Sequence, residues 1–217
     1  MNEIVNPKAK PYIVMEGIAD DIDIKENVKK ENYVMYAGSL YDRFGIKKLV
    51  DAFDMIKDKS LELYLFGSGE TVEYIKKKEK INESIQYKGS KTNSEIIIAE
   101  RKAKLLINPR PTNNEFTKYS FPSKTIEYML SGTPVLTTKL QGIPQEYYDY
   151  LYTINDESVE GIKNSIENII KSESEKSLEE KGRKARKFIL ENKNKEAQGM
   201  RIINFVKFIL SKEEKNG

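Results

Sequence analysis

The stretch YVMYAGSLYDRFGIKKLVDAFDMIKDKSLELYLFGSGE, residues 33–70, decides the fold. Its opening, YVMYAG (Tyr33 to Gly38), is an apolar run without polar alternation, which is how a strand buried on both faces reads. Behind it, Ile46, Leu49, Val50, Phe53 and Ile56 recur at the spacing of one helical face. A second apolar run, LELYLFG (Leu61 to Gly67), again closes on glycine. Strand, helix and strand in this order make a parallel βαβ unit, whose crossover is right-handed.

The alternation continues toward the C-terminus. A Lys-rich helical segment from Glu70 to about Lys80 precedes the strand SIQYKG (Ser84 to Gly89). A helix from about Asn93 to Ala103, capped by Thr92 or Asn93, precedes the strand KLLINP. The loop RPTNNEFTKYS then leads into a helix from Pro122 to Ser131 and the strand PVLTT, with YLYTI as a further strand. The prediction is an α/β fold: a doubly wound, mainly parallel, Rossmann-like sheet of about six strands with helices on both faces. PYIVME (Pro11 to Glu16) reads as a short additional strand, and DDIDIKENVKKEN (Asp20 to Asn32) as a linker. Beyond Glu157 the pattern is helical: GIKNSIENII, LEEKGRKARKFILEN and QGMRIINFVKFILSK. The last carries Ile202, Ile203, Phe205, Val206, Phe208, Ile209 and Leu210 on more than one face, so it needs covering from two sides.

Composition narrows the chemistry. The chain has 217 residues, 38% of them apolar, which is enough for a packed core. Its 37 basic side chains nearly balance 34 acidic ones, so no overall field gathers nucleic acid. There is no cysteine, which excludes disulfides and thiolate chemistry, and no histidine, which removes the commonest metal ligand and general base. Catalysis by this chain's own residues must therefore work mainly by charge and position. MNEIVNPKAK has no apolar signal core, and no run approaches the ~18 apolar residues of a membrane span, so the expected location is cytoplasmic. The basic clusters Lys76 to Lys78 and Lys181 to Lys187 suit solvated helix faces, with contact to an anionic membrane as the alternative.

In open parallel sheets, ligands bind at the carboxyl ends of the strands. Each loop there brings glycine, serine or a cation: SLYDRFGIKK with Arg43, Lys47 and Lys48; GSGE; SKT; and the long loop ending in SFPSK. GSGE is not GxGxxG, and Gly67 and Gly69 fit either a tight strand-to-helix turn or a nucleotide cleft. SFPSK carries more. Proline at the first helical position leaves the N–H groups of Ser123, Lys124 and Thr125 facing outward at the positive end of the helix dipole, where a phosphate fits. Lys124 adds a charge and Ser123 a hydroxyl donor, so the place suits a diphosphate. Glu127, one turn on, can accept from the two hydroxyls of a ribose, or simply pair with Lys124 on a solvated face.

The segments YAGSLYDRFGIKKLVDAF, LYLFGSGE, IQYKGS, LLINPR and FPSKTIEYMLSGTPVLTTKLQGIPQE together resemble the nucleotide-sugar-binding half of GT-B glycosyltransferases, in particular the large retaining family four, or "group 1". The resemblance runs from about Tyr12 to Glu146. It implies transfer of a sugar from a nucleotide diphosphate donor, of UDP or GDP type, to a glycan or lipid-linked acceptor in bacterial polysaccharide or cell-envelope synthesis. It implies Arg43 and Lys124 as catalytic cations, with Lys47 or Lys48 sharing the task, because Phe44 stands where the family usually has Lys before the glycine. It places Gly38, Ser39, Gly67 and Gly69 along the nucleotide cleft, Tyr87 to Ser90, with Lys88 and Gly89, around the base, and Phe121, Ser123, Thr125 and Glu127 at the diphosphate and ribose. The family's first acid is replaced by Tyr119, with Glu115 as the nearest carboxylate. No cofactor is implied, and no metal, since Asp20 to Asp23 fall in the linker.

By this resemblance residues 1–31 are an interdomain linker with a first strand, to which MEGIAD belongs; 32–193 are the donor-binding domain; and 194–217 are a helix that packs on an acceptor-binding domain outside this sequence. The expectation is a donor half inactive by itself, either an excised piece or the product of a split gene. Other readings are a non-catalytic binding subunit acting with a separate acceptor-domain chain, a sugar-nucleotide epimerase, which lacks acid and base residues here, and a plain dinucleotide-binding domain, which lacks GxGxxG after the first strand.

Overall fold

The computed structural model describes residues 10–20, 28–118 and 121–213. Six parallel strands form one sheet: β1 (Tyr33–Ala37), β2 (Glu62–Phe66), β3 (Ile85–Gly89), β4 (Leu105–Asn108), β5 (Val135–Thr138) and β6 (Tyr152–Ile154), in the order β3-β2-β1-β4-β5-β6. The helices are α1 (Ile46–Asp54), α2 (Val72–Glu79), α3 (Asn93–Lys102), α4 (Ser123–Leu130), α5 (Val159–Ser172), α6 (Glu175–Asn192) and α7 (Lys195–Glu213). This is the doubly wound α/β sheet that the alternation predicts.

Side-chain alternation along the strands builds two cores. Val34 and Tyr36 of β1 join Leu63, Leu65, Leu105, Ile107 and Leu136 with Leu49, Val50 and Phe53 of α1 and Ile162 and Ile166 of α5. Tyr33, Met35 and Ala37 face the other way, toward Leu106, Val135, Ile126, Tyr128 and Met129 of α4 and Ala185 and Ile189 of α6. Phe53 is 1% exposed, and truncating such a side chain to alanine costs about 3–5 kcal/mol. α3 begins with a reciprocal cap: Thr92 Oγ1 accepts from the Glu95 N–H while the Glu95 carboxylate accepts from the Thr92 N–H.

Two expectations are corrected. PYIVME forms no strand; its residues are exposed or half-buried, and the isolated bridge near it, among the described residues, joins Ala19, beyond the segment, to Asn194. Glu16 anchors it instead, its buried carboxylate meeting Lys193 at 3.3 Å and Arg201 at 3.3 Å. Pro122 is the N-cap of α4 rather than its first helical residue. On α7, Met200, Ile203, Val206, Phe208 and Leu210 are each about half exposed, as are Tyr12, Val14 and Ile18 of the extended segment that Arg201 and Gln198 hold alongside.

Candidate functional site

The strand order reverses direction between β1 and β4, so a crevice opens at their carboxyl ends. A cavity of about 380 Å³ lies over the carboxyl ends of β1, β2 and β3, lined by Gly38 and Ser39 after β1, Gly67 and Ser68 after β2, Ser90 and Lys91 after β3, and Lys124 of α4.

Backbone chemistry shapes its floor. The Gly38 N–H donates to the Phe66 carbonyl at 3.0 Å, Leu40 N–H to Ser68 at 2.8 Å, and Gly67 N–H to Gly89 at 3.0 Å, so the three loops form one knitted layer. Gly67 has φ +127°, and a Cβ on it would stand 1.8 Å from the Gly38 carbonyl oxygen. Only glycine lets β1 and β2 end this close together. Gly69 packs on the Leu40 carbonyl, as the tight-turn reading of GSGE requires.

Tyr128 fixes the cavity's far wall. Its hydroxyl, fully buried, accepts from the Ala37 N–H at 2.8 Å and donates to the Ala37 carbonyl at 3.1 Å. The second turn of α4 is thereby locked to the end of β1, and Lys124, one turn earlier, lines the cavity with Gly38 and Ser39. Lys124 Nζ reaches Glu127 Oε2 at 2.5 Å, one turn along the same helix face. Ser123 is exposed at the helix start. The Thr125 N–H does not face outward as expected, since it donates to the Pro122 carbonyl at 2.8 Å, and its buried hydroxyl has no hydrogen-bond partner among the described residues. Among the described residues, the N–H groups of Ser123 and Lys124 have no backbone partner.

Behind this wall lies a carboxyl group that the sequence reading missed. Glu100, on the last turn of α3, is 2% exposed, and burial pushes its pKa up to about 7; the positive charge of Lys124 counters that shift and the negative charge of Glu127 adds to it. A buried acid this close to Lys124 and Glu127 belongs to the electrostatics of the site.

Other expected residues are placed elsewhere. Lys88 bonds Gln86, and its ammonium lies 3.9 Å from the Tyr64 ring centroid, on the sheet face rather than at the strand ends. Lys48 Nζ donates to the Glu157 carbonyl at 3.1 Å, and Lys47 pairs with Asp42 at 3.6 Å. Phe121 packs 5.3 Å from Tyr147, in the core beside α6. Glu115 is exposed in a 3-10 turn, and Gly89 ends β3 with φ +73°. Tyr119 and Asp21 to Asp23 lie outside the described residues. Arg43 stands in the 3-10 turn Asp42–Phe44, exposed at the rim of the β1 to β4 crevice, its guanidinium 5.2 Å from the Tyr41 ring centroid.

Serine hydroxyls, glycine backbone and a cation at a helix start make a cleft for an anionic, hydroxyl-bearing ligand. Known proteins agree with that frame. The chain is 27% identical over 208 residues to an uncharacterized glycosyltransferase of Methanocaldococcus jannaschii, covering 89% of this chain and 51% of that one. The chain thus spans about half the length of the curated relative it matches. Among solved structures, a TarM variant of S. aureus in complex with fondaparinux, alpha-GlcNAc-glycerol and UDP superposes with a TM-score of 0.70 at 17% identity, over 87% of this chain and 38% of that one. The C-terminal domain of a glycosyl transferase group 1 family protein (LpcC) from Francisella tularensis superposes with a TM-score of 0.58 at 15% identity, over 77% of this chain and 88% of that domain. The shared fold is the Rossmann-like half of the GT-B architecture. With the switch-point cleft in place and residues 18–188 matching the model for glycosyl transferases group 1, the chain belongs to that glycosyltransferase family.

Proposed function

We propose that this chain is the donor-binding part of a retaining glycosyltransferase that moves a sugar from a nucleoside diphosphate to a glycan or lipid-linked acceptor in polysaccharide or cell-envelope synthesis. The observation that carries this reading is the cavity between the Gly38–Ser39 and Gly67–Ser68 turns and Lys124 at the start of α4. The diphosphate rests against the outward N–H groups of Ser123 and Lys124, the ribose hydroxyls donate to Glu127, and the base lies toward Ser90 and Lys91. As the bond from the anomeric carbon to the diphosphate oxygen breaks, its electron pair stays on the phosphate. The acceptor oxygen bonds the same carbon, and its proton passes to the departing phosphate oxygen. Lys124, Arg43 and the helix N-terminus carry the developing charge, so the protein's own cations do the work; one such preorganised donor is worth about 3–4 kcal/mol.

The half-exposed apolar residues of α7, together with Tyr12, Val14 and Ile18, are the surface on which an acceptor-binding body packs. A second reading is favoured by Tyr119 in the place of an acid: a subunit that binds donor without catalysing transfer and acts with a separate chain.

The test is thermal shift and calorimetry of this chain with UDP, GDP, ADP and TDP. UDP comes first, because it is present in the TarM complex. Selective stabilisation by one nucleoside diphosphate is expected, and a flat response to all four overturns the assignment.

A further inference from the structure

One face of α3 leads down from the cleft into the protein. Asn93 and Ile96 line the cavity together with Lys124, and Glu100, four residues past Ile96, follows one turn deeper on the same face. Its side chain is shut in. Glu100 is 2% exposed, and no hydrogen bond reaches its Oε1 among the described residues. The backbone that carries it is held from two sides, because Thr133 Oγ1 donates to the Glu100 carbonyl at 2.7 Å and the Tyr33 hydroxyl of β1 donates to the Ala99 carbonyl at 2.6 Å.

The charged and titratable groups on the neighbouring elements are engaged elsewhere. On α4, Lys124 Nζ lies 2.5 Å from Glu127 Oε2, and the Tyr128 hydroxyl donates to the Ala37 carbonyl at 3.1 Å. Before β1, Lys30 Nζ donates to the Arg101 carbonyl at 2.7 Å and to Thr133 Oγ1 at 2.5 Å; on α6, Arg186 Nε donates to the Leu130 carbonyl at 3.1 Å. What reaches the Glu100 carboxyl is charge. Burial opposes its ionisation, the Lys124 ammonium favours it and the Glu127 carboxylate opposes it, with the balance at about pH 7. An anion that arrives at Lys124 upsets this balance, since it offsets the positive charge that favours ionisation and brings negative charge close by. The carboxylate then takes a proton from solvent. By linkage, a ligand that raises the proton affinity of Glu100 is bound more tightly when Glu100 is already neutral.

We propose that Glu100 is a positioning residue for the donor site that acts through Lys124: as a carboxylate it adds to the hold of Glu127 on that ammonium, and it becomes the neutral acid when a nucleoside diphosphate claims it. This deepens the donor-binding reading and rests on it for the ligand, while the coupling of Glu100 to Lys124 needs no ligand. Affinity is highest where Glu100 of the free chain is protonated, falls as pH rises from the free toward the bound midpoint, and is constant beyond.

The experiment is calorimetry with UDP from about pH 6 to about pH 8.5 on wild type and Glu100→Gln, with melting temperatures alongside, and carbon NMR of labelled glutamate carboxyls in wild type, Glu100→Gln and Lys124→Met. Comparing the two proteins cancels the titration of the phosphate on UDP itself. Relative to Glu100→Gln, wild type should lose affinity by about tenfold across the range, one linked proton allowing at most about tenfold per pH unit. Glu100→Gln should therefore bind UDP more tightly than wild type at the alkaline end. The carboxyl signal that vanishes in Glu100→Gln should shift its midpoint to higher pH on adding UDP to wild type, and likewise in Lys124→Met, which reads the coupling even where Glu100→Gln folds poorly. Parallel affinity curves, or a midpoint unmoved by bound UDP and by Lys124→Met, overturn the proposal and leave the donor-binding reading intact. A purely packing role for Glu100 would weaken UDP binding of Glu100→Gln alike at every pH, which also overturns it. Absence of UDP binding in both proteins at every pH overturns the donor-binding reading, and the linkage with it.

Discussion

Lys124 Nζ and Glu127 Oε2 stand 2.5 Å apart on one face of α4, with the Lys124 side chain 33% and the Glu127 side chain 44% exposed. An i,i+3 pair this open to water contributes only about 0.2–0.5 kcal/mol to stability. Its value lies in the ligand it can turn to. Lys124→Ala and Glu127→Ala should each weaken nucleoside diphosphate binding by about tenfold or more, roughly 1.4 kcal/mol, with melting temperatures close to wild type. Isothermal titration of both variants checks this, and unchanged affinity in both removes them from the site.

Gly67→Ala places a methyl group against the Gly38 carbonyl in a backbone region that side chains rarely adopt. Strain and overlap together should cost about 3 kcal/mol or more. The urea midpoint should fall and the cleft should lose nucleotide affinity even where the variant is still folded. A variant with wild-type stability would show that the β1 and β2 ends can separate.

Tyr128→Phe removes one hydroxyl and leaves both the N–H and the carbonyl of Ala37 without that partner in a buried place. The expected loss is about 1–3 kcal/mol in urea unfolding, with an unchanged m-value. Because α4 is then released from β1, affinity for a nucleoside diphosphate should drop as well. A loss of stability alone would mean that packing suffices to aim Lys124.

Glu100 makes stability depend on pH in a direction opposite to most carboxylates. Its folded pKa, about 7, lies above the ordinary 4.5, so its contribution is fully present below the lower value and is lost as pH rises through the upper one. Glu100→Gln cannot ionise. Relative to wild type it should gain roughly 1.4 kcal/mol for each pH unit crossed inside that window and hold a constant difference outside it. Paired urea melts from pH 4 to pH 8 read this directly, and parallel curves would mean that Glu100 stays charged when buried.

The sheet was legible because β1, β2 and β4 are mainly apolar runs, each ending near Gly or Pro, and because α1 keeps its apolar residues on one face. PYIVME has similar residues but lies alone, with Tyr12 and Val14 half exposed, so its apolar character marks a surface rather than a strand. Of the site, Gly38, Gly67 and Lys124 were readable because their signals are local: a glycine where a strand stops, a cation where a helix starts. Lys88 was not, since the pleat of β3 turns its side chain to Tyr64. Glu100 was invisible for a different reason, since it matters through burial beneath a helix that comes later in the chain.

The pairing of β1 with β4 extends over two residue pairs, Val34 with Leu105 and Met35 with Leu106, whereas β1 and β2 match along five. The shorter ladder joins residues far apart in sequence, so it carries the larger loop-closure entropy, while the β1 to β3 half forms from nearer contacts. Refolding should accordingly run in two stages, with Leu63 and Leu65 protected from hydrogen exchange before Leu106 and Leu136; simultaneous protection would contradict this order. The crevice is thus the seam that closes last, and a ligand bridging it acts as a late-stage fastener, slowing the opening of the two halves more than it hastens their first collapse.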